Sequence, residues 1–367
     1  MGHWSGRALA GSLALPLALS VVDCGRVDND DRAAAEPDAS GAVDASTDAS
    51  SEAADAPAET SAKDAPDGAE DASPWQPEVL ATLQFVEAMR VDSNAVFVAE
   101  RSPVEVRTIS RIDALTGQVS LVTNDVKPAV IDMVLTPERV IWTEYSGKLG
   151  SPPQSSTRAV APDGGAVKDL MLLTPNAQHL ALGASWLWFA HSQELKRYSL
   201  LTGEITSILG GVYGDPAADN THVFFLHGSV LSRCEYATGT CSDLGVEPGG
   251  PMFSSRVRDG FWYWMAGTTK GTFALRRMPV SGGPASIVLE GDLFPAEFVV
   301  HERLFWLEQG TLAEDCDGRV MRATLSGAQP TTVASACWPY AIAANDEYLF
   351  YLELKGGQTL LRRAPLH

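Results

Sequence analysis

Beyond Trp75 the chain carries short runs of consecutive apolar residues, rich in aromatics, most of them closed by a polar side chain. They are Val96-Phe97-Val98-Ala99-Glu100, Val140-Ile141-Trp142-Thr143-Glu144, Leu187-Trp188-Phe189-Ala190-His191, Val223-Phe224-Phe225-Leu226-His227, Phe261-Trp262-Tyr263-Trp264-Met265, Leu304-Phe305-Trp306-Leu307-Glu308 and Leu349-Phe350-Tyr351-Leu352-Glu353. Successive runs start 44, 47, 36, 38, 43 and 45 residues apart. Runs this short suit strands, and a recurrence at such a period marks one supersecondary unit repeated along the chain.

Each unit has the same internal order. A short apolar strand comes first, for example around Ile131 or Phe298. A polar turn such as Thr136-Pro137-Glu138 or Asp259-Gly260 follows, and then the aromatic strand. A third strand carries an arginine five or six residues before a turn glycine: Arg111 and Gly117, Arg158 and Gly164, Arg197 and Gly203, Arg233 and Gly239, Arg276 and Gly282, Arg322 and Gly327. A fourth strand ends the unit. Four short β-rich segments with turn chemistry between them predict a four-stranded antiparallel sheet.

The aromatic strands do not alternate apolar with polar, as a sheet with one wet face would. Burial on both faces explains this, and sheets packed face to face in a ring provide it. The seventh unit stops after its third strand, at Leu361-Arg362-Arg363-Ala364-Pro365. The segment Glu78-Val79-Leu80-Ala81-Thr82-Leu83 resembles the fourth strand Glu204-Ile205-Thr206-Ser207-Ile208-Leu209 and is available to complete it. The sequence therefore predicts an all-β, seven-bladed β-propeller over residues 78–367, closed by its N-terminal strand so that no free edge remains. Six blades with a flanking hairpin is the competing count.

These repeats resemble those of exported bacterial β-propellers of the TolB-like or WD40/YVTN-like superfamily type. The resemblance covers residues 78–367 and rests on the repeat pattern. The Gly-His and Trp-Asp dipeptides of true WD40 repeats are absent, so it implies architecture and little about activity.

Charge divides the chain. Its net charge is −19, yet residues 25–77 hold 14 Asp and Glu against Arg26, Arg32 and Lys63. The rest is only mildly acidic and has no basic face of the kind a phosphate backbone requires, so nucleic acid is not expected as a partner. Residues 25–77 are nearly all Ala, Asp, Ser, Glu, Pro and Gly, a composition that cannot offset its ordering entropy and predicts a disordered acidic linker. Before it, Arg7 and the apolar residues 8–22 have the length of a signal-peptide core and are short for a membrane span. Residues 1–24 are read as a signal peptide ending at Cys24. The run Val21-Val22-Asp23-Cys24 resembles a bacterial lipoprotein signal, in which the cysteine is lipidated; Asp23 departs from the small uncharged residue that family places there.

An oxidising compartment agrees with the remaining cysteines. Cys234 and Cys241 flank a hairpin turn that would set them opposite each other. Cys316 falls in a second-to-third loop and Cys337 in the next interblade loop, so a bridge there would staple blades six and seven. Neither pair has metal-site spacing, and no metal or other cofactor is expected.

The polar ends of the aromatic strands, Glu100, Glu144, His191, His227, Glu308 and Glu353, would gather on one rim as a candidate ligand-binding set, with Met265 interrupting it. The alternative is structural: each glutamate precedes a third-strand arginine, giving pairs such as Glu144 with Arg158 and Glu308 with Arg322. His179 and His301 lie in or beside first strands, where a hydrogen-bonded core role is expected. The longest loop on the rim spans residues 145–156, and the acidic loop at residues 314–318 lacks EF-hand spacing. Gly-x-Ser-x-Gly, His-Glu-x-x-His, P-loop and Rossmann signatures are absent, so no catalytic residue is assigned. The sequence thus favours an exported, lipid-anchored, monomeric binding or scaffold module for a protein, saccharide or small molecule. A propeller hydrolase or lactonase using a metal in the central channel is the alternative.

Overall fold

The computed structural model describes residues 75–102, 106–127, 129–145, 155–173, 177–191, 193–247, 252–268, 272–291, 297–310 and 316–366. The proposed signal, the linker up to residue 74, the long rim loop between Tyr145 and Ser155, and the acidic residues 314 and 315 lie outside them. Within them the chain forms seven four-stranded antiparallel sheets. Six are built from consecutive strands. The seventh takes its outer strand from the N-terminus, Glu78–Leu83, which pairs with the last strand, Gln358–Pro365. The ring of seven blades closes as the sequence predicts.

The doubly apolar strands have the reason anticipated for them. Alternate side chains point to opposite faces of a strand, and each face meets a different neighbour. In blade one, Val96 and Val98 pack with Phe350 and Leu352 of blade seven. Ala95, Phe97 and Ala99 pack on the other side with Val140 and Trp142 of blade two. The same division recurs around the ring, so the seven blade interfaces hold seven apolar cores. Trp142, Trp188, Trp262 and Trp264 are fully buried in them. Burial of one such side chain contributes roughly 1.5–3 kcal/mol.

In four blades a third-strand arginine holds neighbouring blades together from outside these cores; Arg197 and Arg233 belong to the series read from the sequence, whereas Arg277 stands one residue past Arg276 and Arg363 lies in the seventh blade, which that series did not reach. Arg197 donates from Nη1 to the Tyr236 carbonyl at 3.0 Å, and Arg277 to the Leu325 carbonyl at 2.8 Å. Arg363 donates to the Leu115 carbonyl at 2.8 Å, and Arg233 to that of Val280. Each acceptor lies in the turn after the third strand of the next blade. Three of these guanidiniums also lie over an aromatic ring that starts a second strand: Arg197 over Trp186, Arg277 over Phe261 and Arg363 over Tyr348. The glycines that follow, such as Gly117 at φ 72° and Gly239 at φ 70°, occupy the left-handed region that the turn needs.

Both cysteine pairs form disulfides. Cys234 and Cys241 face each other in register, across a turn of Tyr236 to Gly239 and not the two-residue turn the sequence suggested. Cys316–Cys337 joins the second-to-third loop of blade six to the connection into blade seven. It closes a separation of 21 residues against 7 for the other. Loop-closure entropy makes the longer bridge worth ~3 kcal/mol and the shorter one ~2 kcal/mol. Thermal melts of Cys316→Ser and Cys234→Ser are expected to fall in that order.

Candidate functional site

The glutamates at the ends of the second strands have partners within their own blades. Glu144 is 0% exposed. It accepts the Lys127 backbone N–H at 3.0 Å, the Trp142 indole N–H at 2.9 Å and the Ser156 hydroxyl at 3.1 Å, with Arg158 Nη1 at 3.5 Å. Glu353 accepts the Cys337 N–H at 3.0 Å and Arg362 Nε at 2.7 Å. Glu100 accepts the Gln84 N–H at 3.0 Å. Each of these three carboxylates thus ties the segment leading into its blade to the end of the second strand. Glu308 pairs with Arg319 at 2.6 Å and not with Arg322, which lies opposite Phe305 and so on the other face. His191 is buried and His227 half-buried. Met265, which breaks the series, is fully buried, and Glu247 from the preceding loop supplies the missing carboxylate. It accepts the Trp264 indole N–H and lies 3.3 Å from Arg276 Nε, as Glu144 serves Trp142 and Arg158 in blade two.

A second set of charged side chains lies on and beside the inner strands, the first of each blade, which line the channel. These strands are Phe85–Val91, Val130–Thr136, Ala177–Gly183, Val212–Ala218, Met252–Arg258, Phe298–Val300 and Pro339–Ala344. All but Phe298–Val300 carry a register shift near the start, between Val86 and Ala88, Val130 and Asp132, Gln178 and Leu180, Tyr213 and Ala217, Met252 and Ser254, and Pro339 and Ala341. A bulge leaves one residue out of the ladder and re-aims its side chain. It also frees backbone N–H groups, which carboxylates of the preceding blade accept: Val130 N–H to Glu87 at 2.8 Å, Leu180 N–H to Asp132 at 2.7 Å and Ile342 N–H to Glu297 at 3.2 Å. A polar lining is thereby locked between strands that otherwise read as apolar.

Four further charges meet there. Arg90 pairs with Asp132 from blade two and with Glu297, beside the blade-six strand, at 3.4 Å. His179, at a bulge, lies 3.1 Å from Asp215 of the next blade. The His179 side chain is 42% exposed and that of Asp215 15%, so solvent reaches the pair. His179 is a channel residue, not the core residue expected. Its φ of 54° marks the irregular backbone that turns it inward. Arg256 sits on the inner strand of blade five. Its Nη1 donates to the Ser255 carbonyl at 2.8 Å, and no carboxylate lies within ion-pair distance among the described residues.

The environment divides the two arginines. Burial works against the charge of Arg90, but Asp132 and Glu297 outweigh it and hold its pKa above the ordinary value. Arg256 goes the other way: burial, reinforced by the like charge of Arg90, pulls it down despite Glu297, Asp132 and Asp215. Burial pushes the Asp215 carboxyl up to about 7, opposed by His179 and aided by Asp132. Between the unfolded value of 3.8 and about 7 the native state holds more protons than the unfolded one, so stability falls as pH rises through that window. Asp215→Asn removes this slope. The variant is expected to match wild type at pH 4 and to be roughly 1–2 kcal/mol more stable at pH 8, discounted for solvent screening. Denaturant melts at the two pH values read the difference.

Among the described residues no group of three or more His, Cys, Asp or Glu side chains is placed to hold a metal ion. No protein-family model matches the chain, and no curated protein matches it. Solved structures do. An oligogalacturonate lyase in complex with manganese aligns with a TM-score of 0.59 at 12% identity, over 81% of this chain and 95% of that one. The likeness is one of fold. An acylaminoacyl peptidase from Pyrococcus horikoshii gives 0.53 at 9% identity over 73% of this chain, which spans 50% of that enzyme. TolB from Acinetobacter baumannii gives 0.49 at 11% identity over 76% of this chain and 65% of that one. The fold is thus shared with a lyase and a peptidase, and at 12% and 9% identity activity has to be argued from the channel.

Proposed function

We propose that this chain is an exported binding module that takes a small polar ligand in its central channel. One observation carries the reading: His179, Asp215 and Arg256, from three successive blades, bring unlike charges into a solvent-reachable recess at the centre of a rigid ring. Rigid elements supporting convergent polar groups are what a ligand site requires. The rim glutamates Glu100, Glu144 and Glu353 serve in this reading as the frame of the ring. Two disulfides fit an oxidising compartment. The lipoprotein-type signal at Cys24 and the acidic composition of residues 25–77 support a tethered module. An intact mass of the mature protein carrying acyl chains on Cys24 is the expected result for the anchor; an unmodified thiol there removes it.

A second reading, a channel enzyme, is favoured by the His179–Asp215 contact, because a carboxylate beside an imidazole orients it as a base. The two readings separate in one screen. Polar metabolites and short saccharides are tested by thermal shift on wild type and on His179→Ala. A ligand that stabilises wild type, is recovered unchanged and loses its effect in His179→Ala supports the module. Recovery of a transformed compound supports the enzyme. Ligands that bind both proteins equally overturn the channel as the site.

A further inference from the structure

Resting on the channel reading above, we infer that Arg256 forms a subsite for the carboxylate of a monoanionic ligand, with Asp215 and His179 facing the same bound group. Most of the neighbouring charges are already spent. Arg90 engages both Asp132 and Glu297, and each of these also accepts a backbone N–H, from Leu180 and Ile342. Glu87 is held by the Val130 N–H and by Arg107 at 3.4 Å. None of these carboxylates can turn to Arg256 without orphaning a buried donor, which is costly. Arg256 has one carbonyl, on one of its nitrogens. A guanidinium offers five N–H donors in a planar fork that fits a carboxylate with two parallel bonds. The rest of that fork is left to meet a ligand.

The charge count sets the valence of the ligand. Arg90 and Arg256 balance Asp132 and Glu297, so the four together are neutral, and one guanidinium among them still lacks a direct partner. A single negative charge gains that contact. A second would face Asp132, Glu297 and Asp215 with no cation left to meet it. Asp215 adds a gate. Protonated, it donates a hydrogen bond toward a ligand oxygen; ionised, it repels one. Since burial pushes it up to about 7, an anion binds more tightly below that pH than above it. Other groups around Asp215 are Asp132, Arg90 and Arg256, all counted above.

The test uses the full chain and sodium acetate, with succinate and inorganic phosphate as anions of higher charge and sodium chloride at matched ionic strength. Acetate binding is read by calorimetry and by thermal shift at pH 6 and pH 8. The expected result is saturable acetate binding that succinate and phosphate do not exceed, at least about fivefold tighter at pH 6. Arg256→Met loses it by about tenfold or more, the cost of a bidentate charged contact. Arg258→Met, on the same strand and exposed, keeps it. Asp215→Asn keeps it and flattens the pH dependence. Acetate binding that survives in Arg256→Met overturns the inference, as does binding that succinate or phosphate surpasses. If acetate does not bind but a neutral ligand still stabilises the protein in a His179-dependent way, the inference fails and the channel reading stands; if neither binds, both fail.

Discussion

Deleting residues 78–83 from the full chain is expected to abolish the soluble, cooperatively melting monomer. That segment fills the outer position of blade seven and pairs from Glu78 opposite Arg363 to Leu83 opposite Thr359. It buries Ala81 and Leu83 in the core shared by blades seven and one. Without it, the strand Gln358–Pro365 becomes a free edge of unpaired N–H and C=O groups, a template for pairing with another copy. Arg363 also loses Glu78, its partner across 285 residues of sequence, 2.7 Å from its Nε. Whole-protein stability is typically about 5–15 kcal/mol, so the loss of one strand of four at the ring closure exhausts it. Glu78→Ala is the control. The Glu78 side chain is 58% exposed, and its removal should lower the melting temperature by no more than a few degrees. Gel filtration and a thermal melt of the two variants decide the matter; a monomeric deletion variant melting with wild type would refute closure by this strand.

The second large effect is expected from Glu144→Ala. This carboxylate has no exposure and holds a backbone N–H, an indole N–H, a hydroxyl and Arg158. Truncation orphans the Trp142 indole N–H inside the sheet interface and releases the Lys127 N–H in the connection leading into the blade. Removing one partner of such a buried set costs about 3–5 kcal/mol. Arg158 keeps Asp125 and Asp169, at 2.7 and 2.8 Å, which places the cost at the lower end of that range. In a domain of this size each kcal/mol moves the midpoint by roughly 2–4 °C, so a fall of about 6–12 °C is expected. Glu308→Ala, whose partner Arg319 is 53% exposed, should shift it by less than about 3 °C. Equal shifts for the two would contradict the distinction between a clamp inside the sheet interface and an ion pair at its surface.

Much of this architecture was legible in the chain. The aromatic runs gave the number of blades because burial on both faces leaves a doubly apolar pattern that few arrangements besides stacked sheets can use. The missing fourth strand of blade seven and its double at Glu78–Leu83 gave the closure. Cys234 and Cys241 were legible from a hairpin, and Cys316 and Cys337 from their places in two adjoining loops. Third-strand arginines were recognised as a repeat, but the series took Arg276 for Arg277 and missed Arg363; with Arg197 and Arg233 these join neighbouring blades through carbonyls, and a backbone acceptor leaves no mark on the sequence. Blade five hid its carboxylate for a related reason: Glu247 comes from a loop, outside the strand where the series was sought. The channel was least visible. Asp132 lies within Val130–Thr136, a strand otherwise apolar enough to read as core, and Asp215 follows a glycine and precedes a proline. Their convergence depends on bulges in six of the seven inner strands, and no residue pattern announces a bulge at His179.

Completion of the last blade by the first strand also sets a direction. Glu78 enters beside Arg363, at the end of the ring that carries the third-to-fourth turns, while the segments tied down by Glu100, Glu144 and Glu353 occupy the opposite end. Trp75, stacked on Phe305 with ring centroids 6.1 Å apart, marks the point of departure. A fusion partner joined directly at Trp75 would therefore stand at the end of the ring opposite the segments tied down by Glu100, Glu144 and Glu353.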